Sequence, residues 1–267
     1  LQDYFNEIEL QMDCKIDLGQ RAWYAEKLRN DFAGAEERMW REYPSTPQEA
    51  FQQSTAGNYY AKEIMVLVKR GAITQVATLD LPVYTFWDIG RSDGTAIWFM
   101  QMLNQEDRFI DYHEDHNADL REYAAVLQRK GYVYGGHFLP HDADHKRLSD
   151  YNKSVKEQLQ ALLPGQPFFV VPVISELMNG IYTTRKHLKA AWFDQDGTAQ
   201  GIERLKHYKK KWSASEARYL DATPDKSNGC SEGADAYRQY AQAKESGLLH
   251  SLASSGGYVE APSPLAM

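Results

Sequence analysis

The alternation of apolar and polar residues changes character once along the chain, near residue 79. Before that point, apolar residues recur every three or four positions in "YFNEIELQM" and "QRAWYAEKLRNDFAGAEERMW", which predicts helices over residues 1 to about 40. Pro44 and Pro47 interrupt this pattern and predict an extended connector that opens a short helix. We therefore separate a helical first part, residues 1–55, from the rest of the chain.

From residue 79 the apolar runs are short and typical of strands. "PVYTFWDIG", "TAIWFMQML" and "DRFIDYHED" are joined by turn-forming residues and predict three successive strands. Next, "NADLREYAAVLQRKG" predicts a helix that Asn117 caps and Gly131 ends. The stretches that follow alternate between the two types: "YGGHFLPHDAD" (strand), "SVKEQLQALLPG" (helix), "PFFVVPVIS" (strand) and "ELMNGIYTTRKHLKAAWF" (helix).

This order, β-β-β-α-β-α-β-α, determines the expected fold class. Three meandering strands followed by crossover units predict an α/β fold with a mixed central sheet and helices on both faces. We place this domain at residues 56–245 and expect the small and polar residues 246–267 to form a flexible C-terminal tail.

Composition narrows the classes of protein. The 267 residues carry 30 Lys and Arg against 37 Asp and Glu, a net charge of −7, which argues mildly against a protein that simply coats nucleic acid. No apolar run approaches the roughly 18 residues of a membrane span. Cys14 and Cys230 give neither a disulfide framework nor a zinc site. We expect a cytosolic fragment with no membrane partner.

Three aspartates lie where the edge of one sheet would gather them. Asp88 ends the first predicted strand, Asp142 follows the fourth, and Asp235 lies in "GCSEGADAYRQYAQA", a predicted helix. Mg²⁺ takes oxygen ligands, and two such ions about 4 Å apart can activate a water and stabilise the leaving oxygen of a phosphodiester. The alternative is that these acids only form turns and caps.

Other residues near these acids have two interpretations each. Strand alternation places Glu114 on one face with Ile110 and Tyr112, where it could face the same pocket or lie in solvent. Asp144 could support Asp142 or cap the next helix. The loop after Asp88 contains Arg91 and Ser92, which could contact a phosphate or only form the turn, and His145 is more typical of a structural histidine.

Basic residues form two clusters that suit a DNA backbone, although a solvated helix face is the alternative. The first contains Arg185, Lys186 and Lys189; the second contains Arg204, Lys206, Lys209, Lys210 and Lys211, with Tyr208 and Trp212 among or beside them.

Six ordered segments resemble the large subunits of bacteriophage terminases, over residues 36–243. They are "REYPSTPQEAF", "YTFWDIGRSDGTAIWF", "FIDYHEDHNADLREYAAVL", "FLPHDAD", "WFDQDGTAQGIERLKHYKKKW" and "GADAYRQYA". The resemblance implies an RNase H-like nuclease domain that cuts concatemeric viral double-stranded DNA during packaging, with two Mg²⁺ or Mn²⁺ ions. The family's catalytic and metal-binding acids then fall on Asp88, Asp142 and Asp235, and Glu114 and Asp144 remain further candidates for metal ligands.

The resemblance also implies partners. Residues 1–55 would be the last helices and linker of a packaging ATPase domain, and the small terminase subunit and the portal would join the motor in the host bacterial cytoplasm. This chain has no GxxxxGK[ST] phosphate loop, so we expect no ATP hydrolysis by it. Where family members often show a His-rich stretch before the last acid, this chain has "SNGCSEGADAY", which leaves the contacts around Asp235 open.

Two alternatives remain at this point. One is a Holliday-junction resolvase or transposase-like nuclease of the same superfold, since a fold does not determine one function. The other is a non-catalytic module that clamps DNA or docks onto the motor.

Overall fold

The computed structural model describes residues 1–47, 49, 55–90, 94–146 and 153–255, and the side chains of 37, 38, 41 and 252–255 are excepted. Its internal contacts divide the chain into two compact units, Leu1–Gly57 and Asn58–Met267. That the first unit belongs to a packaging ATPase stays a prediction. The predicted Arg91 and Ser92 contacts lie outside the described residues.

The first unit contains, among its described residues, the helices α1 (Gln2–Met12), α2 (Leu18–Asn30) and α3 (Glu36–Glu42). Asp17 caps α2 by accepting from the Gln20 backbone N–H, while the Gln20 side chain accepts from the Asp17 N–H. The apolar face of each helix contributes to one small core, which contains Phe5, Tyr24, Leu28 and Met39.

A mixed sheet forms the centre of the second unit. Among the described residues its strands are β1 (Ile73–Thr74), β2 (Val83–Ile89), β3 (Thr95–Leu103), β4 (Glu106–Asp115), β5 (Tyr134–Leu139), β6 (Phe168–Val170) and β7 (Trp192–Asp194). Their order is β1-β7-β4-β3-β2-β5-β6. Strands β2, β3 and β4 form an antiparallel meander, whereas β5, β6 and β7 join in parallel to their neighbours.

Helices cover both faces of this sheet. On one face lie α4 (Ala61–Arg70), α7 (Leu177–Leu188), α8 (Ala199–His207), α9 (Ser231–Glu245) and α10 (Leu248–Ser255), and on the other lie α5 (Leu120–Lys130) and α6 (Val155–Leu162). Strand alternation separates the two cores, because Tyr84 and Phe86 of β2 pack into the first and Val83 and Trp87 into the second. The predicted α/β class, with a mixed sheet and helices on both faces, is confirmed.

Several local predictions are wrong. Strands β1 and β7 were not predicted, and the second basic cluster runs from α8 into a hairpin of β8 (Lys210–Ser213) and β9 (Arg218–Pro224). Helix α5 is capped by Asp119, with Glu122 reaching back, and not by Asn117. The stretch predicted as a flexible tail begins with α10, in which Leu249 is buried, so that prediction does not hold for 248–255.

The predicted assignment of the β4 side chains to the two faces of the sheet is wrong, because β4 contains a β-bulge. Pairing with β3 passes from Phe99 opposite Asp111 to Met100 opposite Phe109, so Ile110 has no partner in the ladder. The alternation therefore shifts at this point. Ile110 packs on the α5 and α6 face, while Tyr112 packs on the opposite face with α8 and α9.

Within the described residues, no helix combines the length and apolar character that crossing a membrane requires.

Candidate functional site

The carboxyl ends of β2 and β5 meet at one edge of the sheet, which we name the acid edge. These strands run parallel, with Phe86 opposite Phe138, so their last residues emerge side by side. Asp88 is the second last residue of β2. A short 3₁₀ turn, His141–Asp144, follows β5 and carries Asp142. The predicted convergence of Asp88 and Asp142 therefore rests on parallel strand pairing.

Helix α9 brings the third aspartate to the same edge. Side chains on β2 alternate, so Asp88 points to the face that Phe86 occupies, where the Phe86 ring lies 5.3 Å from the Tyr240 ring of α9. At the other end of α9, the Trp98 indole N–H donates to the Gly233 carbonyl at 2.8 Å. These contacts fix α9 across the sheet and place Asp235, in its second turn, above the end of β2.

The electrostatics of Asp88 show that the acids act on one another. Burial raises the pKa of Asp88 well above its usual range, and the charges of Asp235, Glu232 and Asp142 raise it further, whereas Arg238 opposes them. Four carboxyl groups therefore share one electrostatic environment. Such a group favours the binding of a cation, because a cation offsets the repulsion.

Arg238 is the cation that pairs with Asp235 in this structure. Its Nη1 lies 2.7 Å from Asp235 Oδ1, one helical turn away. The Tyr208 hydroxyl donates to the same oxygen at 3.4 Å. Burial alone would lower the pKa of Arg238, but Asp235, Tyr208, Tyr60 and Asp88 raise it, so the guanidinium stays charged. Asp235 is thereby oriented from two sides.

The acids of this edge suit a divalent cation by their chemistry, although not by their present arrangement. Among the described residues, no group of three or more His, Cys, Asp or Glu side chains is arranged to hold a metal ion as it stands. The donor set nevertheless suits a hard cation, because it consists of carboxylate oxygens from separate elements. One of these oxygens, Oε2 of Glu232, is buried and has no hydrogen-bond partner.

Glu114 lies in the same row of the sheet as Asp88 but is engaged elsewhere. Pairing places Asp88 opposite Ala96, and Ala96 opposite Glu114, so the two acids stand two strands apart, about 10 Å. The Glu114 side chain is 1% exposed and receives two hydrogen bonds from Arg204, at 2.9 and 2.8 Å. The Tyr112 hydroxyl donates a third at 2.5 Å. Its suggested role as a metal ligand stays a prediction.

Asp144 and the two histidines of the turn are exposed. Asp144 is not among the groups that act most strongly on Asp88, although it lies two residues from Asp142. The rings of His141 and His145 are 6.2 Å apart. This side of the turn faces solvent.

The arginines of both basic clusters make internal contacts. Arg185 donates two hydrogen bonds to the Tyr59 carbonyl, at 2.9 and 2.7 Å, and Arg204 binds Glu114 as described. Each guanidinium therefore has an internal partner, and the suggested contact of these two arginines with DNA stays a prediction.

The lysines are on the surface, but the two clusters lie at different places. Lys186 pairs with Glu245 at the carboxyl end of α9, and Lys189 follows α7 just before β7 starts, so the first cluster lies away from the acid edge. Lys206 pairs with Glu203, and Lys209 and Lys210 pair with Asp225 and Asp221. Lys211 is exposed on β8, shortly after Tyr208, whose hydroxyl contacts Asp235.

A groove of about 790 Å³ opens beside Asp142 on the other face of the sheet. Ile89, Gly90 and Pro140 form part of its wall, and Arg121 and Lys153 contribute positive charge. Of the three aspartates, Asp142 lines this groove, whereas Asp88 and Asp235 do not.

Glu232 is the residue that sequence analysis missed. It precedes Asp235 by three positions and so lies on the same side of α9. The i, i+3 spacing of two acids in "SEGADAY" was a signal that could have identified it.

The structure matches the large terminase of a thermophilic bacteriophage in complex with ATP-gamma-S, with 14% identity and a TM-score of 0.50, over 67% of this chain and 44% of that chain. Over this part of its length, the chain shares its fold with part of a phage large terminase. Two terminase nuclease structures align with lower TM-scores: that of thermophilic phage G20c with bound cobalt (13% identity, 69% and 96% of the two chains, 0.48) and that of bacteriophage SPP1 with bound Mn (12%, 62% and 86%, 0.44).

The terminase-type fold is shared at low identity, and no known protein family or curated protein matches this chain at the level of sequence. The chain spans less than half the length of the large terminases it matches first.

Proposed function

We propose that the second unit is the metal-dependent endonuclease domain of a phage or prophage terminase large subunit, and that it cleaves concatemeric viral double-stranded DNA during genome packaging. The observation that carries the proposal is the convergence of Asp88, Asp142 and Asp235 at one edge of an RNase H-like sheet. Each acid comes from a different element, and their charges act on Asp88 together.

In this proposal, Asp88, Asp142 and Asp235 would together hold two Mg²⁺ or Mn²⁺ ions. Two bound cations would lower the pKa of an attacking water and offset the charge on the leaving oxygen of the phosphodiester. Arg238 and the Tyr208 hydroxyl orient the Asp235 carboxylate, and the paired strands β2 and β5 fix the positions of Asp88 and Asp142.

The substrate would reach these acids along the surface beside them. The groove next to Asp142 offers Arg121 and Lys153 to phosphates on one side, and Lys211 lies on the hairpin that follows Tyr208 on the other. Lysine contacts of this kind bind phosphates without reading sequence, so affinity for DNA would depend steeply on salt.

The partners belong to the same proposal. The ATPase domain, the small terminase subunit and the portal would surround this domain in a packaging motor in the host bacterial cytoplasm. This chain would supply cleavage and not ATP hydrolysis, because its sequence has no phosphate loop.

Plasmid nicking and linearisation with Mn²⁺, Mg²⁺ or EDTA tests the proposal. We expect cutting by the parent chain that depends on the metal, and Asp88→Asn, Asp142→Asn and Asp235→Asn each to lower the rate by more than about 100-fold. Asp144→Asn, on the same turn as Asp142 but exposed, is the matched control and should cut like the parent.

Other outcomes would contradict it in distinct ways. If the parent cuts with no metal, the proposed site is wrong. DNA binding without cutting at high Mn²⁺ would favour the motor-docking module, and preference for branched DNA would favour the resolvase. Cutting that survives Asp142→Asn would move the second ligand to Glu114 or Asp144.

A further inference from the structure

Glu232 is a buried carboxylate, and one of its two oxygens has no hydrogen-bond partner among the described residues. The residue is 8% exposed, and its Oε2 atom makes no hydrogen bond to any described residue. An ionised oxygen in such an environment loses the hydration that it has in water. A cation in contact with this oxygen would replace the hydration that burial removes.

The first turn of α9 holds Glu232 in place. Gly233 is packed so closely that an added Cβ would lie 2.6 Å from the Tyr112 hydroxyl and 2.8 Å from Arg204 Cβ. Its carbonyl also accepts the hydrogen bond from Trp98. Because the next residue is fixed in this way, the Glu232 backbone cannot turn away from the sheet.

The two nearby guanidinium groups are committed to other acids. Arg204 directs two donors at Glu114, and Arg238 pairs with Asp235. The charge of Glu232 acts instead on Asp88, on Tyr112 and on Cys230, so its carboxylate lies near these residues. Asp88, Ala96 and Glu114 form a row on the face of the sheet that α9 covers. The small side chain of Ala96 separates the two outer acids of that row.

We propose that Glu232 is a fourth carboxylate of the site and binds a divalent cation together with Asp88 and Asp235. This rests on the proposed function. Glu232 and Asp235 lie one helical turn apart, so one cation can contact both side chains while α9 stays in place. The buried Oε2 atom is then a ligand whose desolvation is offset by the cation.

The test is direct Mn²⁺ binding to the full chain, measured by isothermal titration and by the EPR signal of free Mn²⁺. We expect Glu232→Gln to weaken Mn²⁺ binding at least about tenfold. Glu203→Gln, an exposed helical acid on α8, is the matched control and should bind Mn²⁺ like the parent. Asp88→Asn should weaken binding at least as much as Glu232→Gln.

Thermal unfolding without metal separates this role from a structural one. Glu232→Gln removes a buried charge and should unfold at the parent's temperature or a few degrees above it, about 2–4 °C. If the variant does not fold, Glu232→Asp and Glu232→Ala replace it, and the aspartate should bind Mn²⁺ more tightly than the alanine.

Failure of this inference is distinguishable from failure of the proposed function. Parent and Glu232→Gln chains that bind Mn²⁺ equally, while Asp88→Asn does not, would overturn the role of Glu232 alone. Equal affinities of Glu232→Asp and Glu232→Ala would do the same. A parent chain that binds no Mn²⁺ would overturn the metal site itself.

Discussion

Arg204 connects helix α8 to the sheet through one buried acid. Both oxygens of Glu114 accept from its guanidinium, and the Glu114 side chain is nearly inaccessible to solvent. The pair raises the pKa of Arg204, first through this hydrogen bond and then through the charge of Glu114, while burial opposes the shift. Removing the arginine would leave a carboxylate in the protein interior that keeps the Tyr112 hydroxyl and the His116 ring as partners among the described residues.

We therefore predict that Arg204→Ala lowers the free energy of unfolding by about 3 kcal/mol, because a buried ion pair that loses one member leaves an uncompensated charge. Urea unfolding followed by circular dichroism measures it. The control is Lys211→Ala, an exposed basic residue of the same cluster, which should change stability by less than about 0.5 kcal/mol. A stable Arg204→Ala chain that has lost DNA affinity would instead make Arg204 a DNA contact.

The roles of some individual residues could be predicted from the sequence, and the roles of others could not. The position of Asp88 at a strand end could be predicted, because strand and turn signals in the sequence are local. The role of Arg204 could not, because its partner Glu114 lies 90 positions away and neighbouring lysines gave it the pattern of a DNA-binding segment. Glu232 was local and readable, but its significance depends on burial, which composition does not show.

At the scale of elements, a polar chain joins β2 and β5 inside the α5 and α6 core. The Trp87 indole N–H donates to Thr85 Oγ1 at 2.7 Å, Thr85 contacts His137 Nδ1 at 2.7 Å, and His137 Nε2 contacts Gln166 Oε1 at 2.6 Å. All of these contacts are satisfied by a neutral imidazole that accepts at Nδ1 and donates at Nε2. Burial lowers the pKa of His137 from 6.5 to about 4.

This shift predicts a loss of stability in acid. Between pH 6.5 and about 4 the unfolded chain binds a proton on His137 while the folded chain does not, so stability is full above that window and falls as pH falls through it. The loss attributable to His137 at pH 5 is about 2 kcal/mol. Urea unfolding at pH 7 and pH 5 should show a smaller loss for His137→Gln than for the parent. Equal losses in both chains would show that His137 is not the cause.

A glycine lets α8 approach the sheet. At Gly201 an added Cβ would lie 2.4 Å from the Trp98 ring and 2.8 Å from the Tyr112 ring. Helix propensity alone favours Ala over Gly by up to about 1 kcal/mol. Here the contact distance is far below van der Waals separation. The packing of the core, and not helix propensity, therefore determines whether the substitution to Ala stabilises or destabilises the protein.

We predict that Gly201→Ala destabilises the protein by about 1–3 kcal/mol, the cost of overpacking a filled core. Thermal or urea unfolding measures it, and Gln200→Ala, at the exposed neighbouring position of the same helix, is the control with little expected change. A Gly201→Ala chain as stable as the parent would mean that α8 shifts outward, and the Arg204 contact with Glu114 would then weaken.

At the scale of the whole molecule, the longer elements were predictable and the short pairings were not. Strands β2 to β5 and helices α5, α7 and α9 have strong periodic patterns, so their type and order followed from sequence. Strands β1 and β7 pair over only two residues across more than a hundred positions, as Ile73 with Phe193. Such a pairing depends on the tertiary structure of the whole sheet, and no local sequence pattern predicts it.

The charge distribution of the molecule leads to a prediction about DNA. A chain of net charge −7 can bind DNA only through local positive surface. Lys211 lies on the hairpin that starts near Asp235, whereas Lys189 lies just before β7, toward the opposite edge of the sheet, because β7 runs in the same direction as β2. DNA cut at the acid edge should therefore contact Lys211 and not Lys189.

Fluorescence anisotropy of a labelled duplex over a range of salt tests this, in the Asp88→Asn background to prevent cutting. Lys211→Ala should reduce the slope of log affinity against log salt by about 1, the value expected for one lost phosphate contact. Lys189→Ala is the matched lysine and should leave that slope unchanged. The reverse result would place the duplex along the carboxyl end of α9, beside Lys186 and Glu245, and would separate DNA binding from the acids that we propose to cut it.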